Sequence, residues 1–107
     1  LLDGEAIPTK HYDVILDEEY QPALFGTFAS MFSAQSAKDG VNPMRDKVGQ
    51  LIADERLNIS DSPHLIDGFG YTLFDSEGTK TATTSLIKEG YLQTLAHNSA
   101  TAKHFGV

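Results

Sequence analysis

The sequence predicts an α+β domain with a mainly antiparallel sheet, one long helix at about residues 18–37 and a short C-terminal helix. Three observations support this fold class: a helical apolar period in the first third of the chain, a hairpin pattern at residues 81–95, and the chain order strand, helix, strands, hairpin, helix. With 107 residues, residues 1–107 are expected to form a single domain with a modest core.

The first strand and the long helix are predicted from a change in the spacing of the apolar residues. Tyr12–Leu16 is a short apolar run typical of a buried strand, and Asp17 follows it as a plausible helix N-cap with two glutamates in the first turn. Pro22 fits the first turn of a helix only. Apolar residues at spacings of three and four then predict one buried helix face, formed by Tyr20, Leu24, Phe28, Met31 and Phe32.

Turn residues divide the middle of the chain. Asp39-Gly40 and Asn42-Pro43 are turn signals that end the helix. Strands are predicted at Lys47–Ala53 and at Leu57–Ile59, the second from its alternation of apolar and polar residues. Ser60–Tyr71 contains one proline and two glycines and is predicted to be a long loop, a kind of segment that often carries function.

The clearest element is a β-hairpin near the C-terminus. Thr81–Ile87 is rich in β-branched residues, Lys88-Glu89-Gly90 is a short turn whose glycine is expected to have a positive φ, and Tyr91–Leu95 resumes the apolar alternation. A short helix, Ala100–Phe105, is expected to follow it. Its predicted capping residues are Asn98 or Ser99 at the start and Gly106 at the end.

The composition excludes several classes of function. Fifteen acidic and eight basic residues give a net charge of -7, which repels nucleic acid and anionic membrane surfaces. No apolar run approaches the roughly 20 residues that span a bilayer. Cysteine is absent, so disulfides and thiolate chemistry are excluded within this segment. These observations predict a cytoplasmic protein that binds neither nucleic acid nor a membrane.

Several polar residues are weak candidates for chemistry. Asp75 and Glu77 could form a general acid/base pair, but carboxylates two apart in a turn more often stabilise the loop backbone by Asx-type hydrogen bonds. Asp61 is a third candidate carboxylate. No two of the four histidines have the spacing of a helical metal site, and no serine has a Gly-x-Ser-x-Gly setting. Gly68-Phe69-Gly70 lacks the further residues of a phosphate-binding loop and indicates a flexible turn.

One stretch resembles a known family. FDSEG at Phe74–Gly78, followed by TSLIKEGYL at Thr84–Leu92, resembles the TldD/PmbA family, once called modulators of DNA gyrase and regarded as peptide-maturing metallopeptidases. The remaining matches to the family pattern are Asp61, Pro63, Gly68, Gly70, Ala102 and Gly106. Since members are several times longer, the resemblance implies that this chain is an internal fragment of the C-terminal domain, without a free-standing activity.

The resemblance also implies which type of subunit this is. Metal-bearing relatives carry His-Glu-x-x-x-His on the long helix, and Phe25, Gly26 and Ser30 stand at those positions here. The chain therefore resembles the PmbA type, which lacks the metal motif. Zinc is expected only in a TldD-type partner, with a peptide as the possible substrate of the pair. A homo-oligomer of the full-length protein is the alternative assembly.

Two other functions stay open at this stage. The full protein could be a hydrolase that uses the carboxylates of Asp61, Asp75 and Glu77. Alternatively, the domain could be a binding module without chemistry, in which an exposed sheet edge recruits an extended peptide by strand addition. The sequence favours neither over the metal-free peptidase subunit.

Overall fold

The predicted hairpin forms the larger part of a three-stranded antiparallel sheet in the computed structural model, which describes residues 4–66 and 70–107. The strands are β1 (Ile59–Asp61), β2 (Thr84–Lys88) and β3 (Tyr91–Leu92), and their order in the sheet is β1-β2-β3. Both pairs are antiparallel, with an irregular register between Ile59 and Ser60. The predicted α+β fold with an antiparallel sheet is confirmed.

The hairpin turn has the backbone conformation that its residues predict. Glu89 has φ 49° and Gly90 has φ 77°, so both central residues of the turn lie in the left-handed region, as a type I′ turn requires. The Glu89 backbone N–H also donates to Asn58 Oδ1 at 2.9 Å. The expected positive φ at Gly90 is confirmed.

The prediction of one long helix at 18–37 is wrong in length. The segment consists of α1 (Gln21–Phe28), a 3-10 helix (Ala29–Phe32) and α2 (Ala34–Lys38). Ser33 interrupts it with an extended backbone, φ -77° and ψ 119°, and its hydroxyl caps α2 by accepting from the Ser36 N–H. Ser33 is extended because its segment pairs with Ala96: the Ala34 N–H donates to Ala96 O at 3.0 Å, and the Ala96 N–H donates to Phe32 O at 2.7 Å.

The chain before α1 also differs from the prediction. Tyr12–Leu16 forms no strand, and Ile15 is 99% exposed, because no strand of the described residues pairs with this segment. Asp17 is not the N-cap, since its carbonyl and carboxylate accept hydrogen bonds within a turn at residues 17–21. The helix starts at Gln21, which leaves Pro22 in the first turn as predicted.

The middle segment contains less strand than predicted. Within Lys47–Ala53 only Leu51 forms a bridge, with Tyr91, and neighbouring backbone groups cover the outer edge of β3. The strand predicted at Leu57–Ile59 begins at Ile59 and continues to Asp61, so the first two residues of the predicted Ser60–Tyr71 loop belong to β1. Residues 67–69 of that loop lie outside the described residues.

A small core lies between the sheet, α2 and the segment after β3. Its buried members are Ala34, Ala37, Ile87, Leu92 and Leu95. Asn42 is buried beside them, where its amide donates to Met31 O and Ser33 O at 3.0 Å and its Oδ1 accepts from the Met44 N–H at 2.8 Å. These bonds satisfy a buried polar side chain, as burial requires.

The predicted buried face of the first helix is mostly exposed. Tyr20 is 67%, Leu24 43% and Phe28 48% exposed, whereas Met31 and Phe32 are half-buried. The radius of gyration is 17.3 Å, compared with about 13 Å for an ordinary domain of this length. Helical period thus identified the apolar residues correctly, but too little of this chain packs on α1 to cover them.

The C-terminal helix, α3 (Ser99–Phe105), agrees with its prediction. Asn98 is the N-cap: its side chain accepts from the Thr101 N–H, and the Thr101 hydroxyl accepts from the Asn98 N–H, which forms a capping box. Gly106 ends the helix with φ 75°. Of the helices that the structure describes, none is long and apolar enough to cross a membrane.

Candidate functional site

A groove between α1 and the sheet brings together three residues that the sequence singled out, Phe25, Gly26 and Asp61. Its larger cavity has a volume of about 450 Å³ and is predominantly apolar. α1 and the 3-10 helix form one wall, β1 forms the other, and Leu86 of β2 contributes from the sheet. The full lining is Phe25, Gly26, Ala29, Phe32, Ser33, Ile59, Asp61, Leu86 and Ala96.

A smaller and more polar cavity adjoins the groove. It has a volume of about 270 Å³ and shares Asp61, Leu86 and Ala96 with the larger cavity. Its remaining lining residues are Thr84, Thr94, Leu95 and His97. Asp61 therefore stands where an apolar cavity meets one with hydroxyl groups and an imidazole.

β2 lines this surface and also contributes to the core. Thr84 and Leu86 line the cavities, whereas Ile87 packs in the core; the register shift beside Ser60 leaves Leu86 without a partner in β1. Leu86 and Ile87 are 7% and 3% exposed, so β2 is well covered at this point. Sequence reasoning singled out Asp61 but missed Thr84, Thr94 and His97, although the alternation within TSLIK could have placed Thr84 beside Leu86.

The three residues that the sequence resemblance places at metal-motif positions do not converge. Phe25 and Gly26 line the larger cavity, whereas Ser30 lines a separate cavity of about 140 Å³ near Asn42. Ser30 lies five residues after Phe25, and five steps along an α-helix rotate the side-chain direction by roughly 140°. The last two of these steps are in the 3-10 helix, which increases the rotation to about 180°. A phenylalanine, a glycine and a serine on different surfaces do not fit a zinc ion, which requires nitrogen, sulfur or carboxylate ligands around one point.

Asp75 is held within its own turn. Its Oδ1 accepts from the Glu77 N–H at 2.9 Å and the Thr79 N–H at 2.8 Å, and its N–H donates to Thr79 O at 2.9 Å. This is the Asx-type arrangement weighed for it in the sequence. The carboxylate fixes a loop that ends at Gly78 and leads towards the hairpin.

Glu77 connects the same turn to the C-terminal helix. Its Oε2 accepts from the Ser99 N–H at 2.9 Å and from the Ser99 hydroxyl at 2.8 Å. Ser99 is the first residue of α3, whose N–H groups lack partners within the helix. Neither Asp75 nor Glu77 lines the cavities that contain Asp61, so the structure separates the three candidate carboxylates into two places.

We expect Glu77→Gln to lower the free energy of unfolding by about 0.5–1 kcal/mol, because an amide oxygen accepts more weakly than a carboxylate at a helix start. Urea unfolding checks this, with Glu55→Gln as the control, since the Glu55 side chain is exposed and makes no hydrogen bond with the described residues. Activity of the complete assembly should be retained in both variants. Loss of activity in Glu77→Gln at nearly unchanged stability would instead assign this carboxylate to catalysis.

The histidines have different environments in the described part of the chain, although His97 and His104 both contact Phe105. His64 Nε2 lies 3.1 Å from Thr81 Oγ1, and His104 packs edge-on against Phe105. His97 also packs edge-on against the Phe105 ring, and its Nδ1 is buried without a hydrogen-bond partner among the described residues. In residues 4–66 and 70–107, no three His, Asp or Glu side chains form a group that could hold a metal ion.

The resolved pKa shifts lie outside the groove. Two side-chain hydrogen bonds and one backbone hydrogen bond from Arg56, together with its charge, lower the pKa of Asp54 to about 2, and Asp54 in turn raises the pKa of Arg56. Because the folded pKa is lowered, the pair stabilises the fold above the ordinary pKa of an aspartate, and this contribution is lost as the pH falls towards 2. Both side chains are exposed, so salt screens the pair.

Comparison with known proteins identifies the family of this chain. The sequence pattern of the PmbA/TldA metallopeptidase C-terminal domain matches residues 9–107. A metalloprotease of Methanothermobacter thermautotrophicus is 32% identical, in an alignment that covers 100% of this chain and 24% of the relative. The metalloprotease PmbA of Escherichia coli O157:H7 is 30% identical, in an alignment that covers 99% of this chain and 24% of the relative. The chain thus spans about a quarter of the length of these relatives.

Solved structures show the same fold. A Thermotoga maritima protein described as a proposed modulator of a DNA gyrase superposes with a TM-score of 0.76 at 32% identity, over 79% of this chain and 20% of its own. TldE from Thermococcus kodakarensis superposes with a TM-score of 0.68 at 28% identity, over 77% of this chain and 20% of the TldE chain. Because the family pattern matches residues 9–107, the chain belongs to the PmbA/TldA metallopeptidase family, in the C-terminal domain.

Proposed function

We propose that this chain is part of a metal-free, PmbA-like subunit that supports peptide cleavage or maturation by a zinc-bearing TldD-type partner. The observation that carries the proposal is the residue set at the metal-motif positions. Phe25 and Gly26 face the groove and Ser30 faces another cavity, so the positions that the sequence resemblance assigns to zinc ligands offer none here.

The exposed apolar surface supports an assembly role. Tyr20, Leu24, Phe25 and Phe28 are each 43–67% exposed along one short helix, and contiguous apolar surface of this kind marks interaction sites. The structural similarity to TldE supports membership of a TldD/TldE-type complex. A metal-free subunit would contribute by shaping the peptide path and by holding the partner in its active arrangement.

The test measures peptide cleavage by the full-length protein alone, by a TldD-type partner alone and by the two together. We expect cleavage only when the partner is present and an increase when both are combined. A chelator should abolish this activity and zinc should restore it. Substitution of the partner's motif histidines should abolish cleavage while the complex still forms.

Ser30→Ala in this chain is the matched control. Ser30 occupies the position of the second histidine but lies outside the groove, so the activity of the pair should not change. Robust zinc-dependent cleavage by the full-length protein without a partner would overturn the proposal. Retention of cleavage after loss of the partner's histidines would overturn it as well.

A further inference from the structure

The Asn42 side chain joins three backbone groups at the break between the 3-10 helix and α2. Asn42 is 6% exposed, and its amide nitrogen donates to Met31 O and to Ser33 O, each at 3.0 Å. Its Oδ1 accepts from the Met44 N–H at 2.8 Å. Because a backbone N–H needs an acceptor, the amide oxygen must face Met44, and both amide N–H bonds then face carbonyls. An aspartate of the same shape would meet one of these groups and repel the other two.

The bond to Met31 O replaces one that the helix loses at the break. In a continuous 3-10 helix the Ala34 N–H would donate to Met31 O, but it donates to Ala96 O at 3.0 Å instead. Asn42 supplies the missing donor, and it also donates to the carbonyl of Ser33, the residue at which the backbone becomes extended. The break is thus held both by backbone pairing with Ala96 and by the Asn42 amide.

The loop that carries Asn42 is itself fixed to α2. The N–H groups of Gly40 and Val41 each donate to a carbonyl of α2 at 3.1 Å, and Gly40 has φ 79°. These bonds end α2 and turn the chain back, so that Asn42 reaches Ser33, whose hydroxyl caps the start of the same helix. Asn42 therefore ties the two ends of α2 together, which restricts the backbone at the break.

The direction of α1 depends on the backbone conformation at this break. α1 and the 3-10 helix directly precede Ser33, and α1 brings Phe25 and Gly26 to the groove. Phe32, the last residue of the 3-10 helix, packs against the core, so residues 31–34 are the anchored part from which α1 extends. A change of dihedral angles there would turn α1 relative to the sheet.

We propose that Asn42 is a positioning residue: by holding Met31 O and Ser33 O, its amide sets the direction of α1 for the reaction of the subunit pair. The inference rests on the proposed function only where it concerns peptide cleavage. The direction of α1 is measured separately and in the full-length protein, so either proposal can fail while the other stands.

Distances between spin labels in the full-length protein measure this direction. One pair of labels, at Ala23→Cys and Lys88→Cys, spans the break, and a second pair, at Lys38→Cys and Lys88→Cys, does not; all three positions are exposed. Residues 1–107 contain no cysteine, and any cysteine elsewhere is first replaced by serine. In Asn42→Asp we expect the first distance to shift by about 5 Å, because a rotation of roughly 20° acts over the length of α1 and the 3-10 helix. The second distance should not change.

Peptide cleavage by the pair connects this direction to the reaction. We expect Asn42→Asp to lower the cleavage rate at saturating peptide about tenfold, since small displacements of positioning groups have effects of at least this order. Ile87→Ala is the matched control, because it truncates a buried core side chain and changes no bond of Asn42. It should lower the urea midpoint while retaining the α1 distance and most of the cleavage rate.

Asn42→Ser keeps one hydroxyl donor and adds no charge, so its effects should lie between those of the unchanged protein and Asn42→Asp. It decides the question by the same measurements if Asn42→Asp does not fold. An unchanged α1 distance in the folded variants would overturn the proposal, and so would an equal shift in both label pairs, which indicates a general loss of the core. A displaced α1 with an undiminished cleavage rate would overturn the positioning role. If the unchanged pair cleaves no peptide, the proposed function fails, and the label distances still decide whether Asn42 directs α1.

Discussion

Leu92→Ala is expected to lower the free energy of unfolding by about 2–5 kcal/mol. Leu92 is 0% exposed and is one of the two largest fully buried side chains of the described residues. It lies on β3 opposite Ile87 and within the core that α2 covers. Truncation removes apolar burial and leaves a cavity that the short strand can close only in part. A domain of this size has a total stability of roughly 5–15 kcal/mol, so the loss is a large fraction.

Urea unfolding followed by circular dichroism measures this effect as a shift of the midpoint at an unchanged m-value. Leu73→Ala is the matched control, because it makes the same chemical change at a side chain that is 52% exposed. The control should lose less than about 1 kcal/mol. Similar losses in both variants would contradict the placement of the core around β3.

The sequence could predict the elements whose signals are local. The type I′ turn depends on Gly90, and the last helix depends on Asn98 at its start and Gly106 at its end. Each residue determines the conformation of its own few neighbours, so no knowledge of distant packing is needed. These elements were confirmed at nearly the predicted positions.

The elements that failed depend on partners distant in the chain. The helix break at Ser33 comes from pairing with Ala96, which lies far later in the sequence, and local propensity cannot indicate such a contact. The apolar run Tyr12–Leu16 has no neighbouring strand in the described structure, so its composition alone could not make it a strand. In both cases tertiary contacts, or their absence, decided the outcome.

The candidate site was predictable in part. Asp61 and the metal-motif positions Phe25 and Gly26 were named from the sequence, and the structure brings them to one groove. Ser30, named with them, lies elsewhere because the helix tightens after Phe28. Thr84 joins the site because β2 pairs with β1, and Thr94 joins it because the chain returns to the site after β3. The period of apolar residues alone does not specify this strand register.

Gly90→Ala is expected to be as destabilising as the core truncation, although it adds only a methyl group. A Cβ at this position would clash with Ala53 O and would lie 2.9 Å from Leu51 Cδ1 and 3.0 Å from Asp54 O. Two of these atoms are backbone, so the segment at residues 51–54 must move. That segment is held by hydrogen bonds from the Ile52 and Ala53 N–H groups to Gly90 O. Overpacking of this kind costs about 1–3 kcal/mol.

The backbone conformation of Gly90 adds a second and independent cost. Its φ of +77° is unfavourable for alanine by about 1–2 kcal/mol, so the total loss should be about 2–5 kcal/mol. Gly78→Ala separates the two terms, because Gly78 has φ +79° but no atom within 4 Å of the point that an added methyl group would occupy. It should lose only the conformational part, about 1–2 kcal/mol, in the same urea titration. If the two variants lost equal stability, the close approach of residues 51–54 to the hairpin turn would be refuted. A larger loss at Gly90 would establish that this turn, besides reversing the chain, holds the segment that covers the edge of β3.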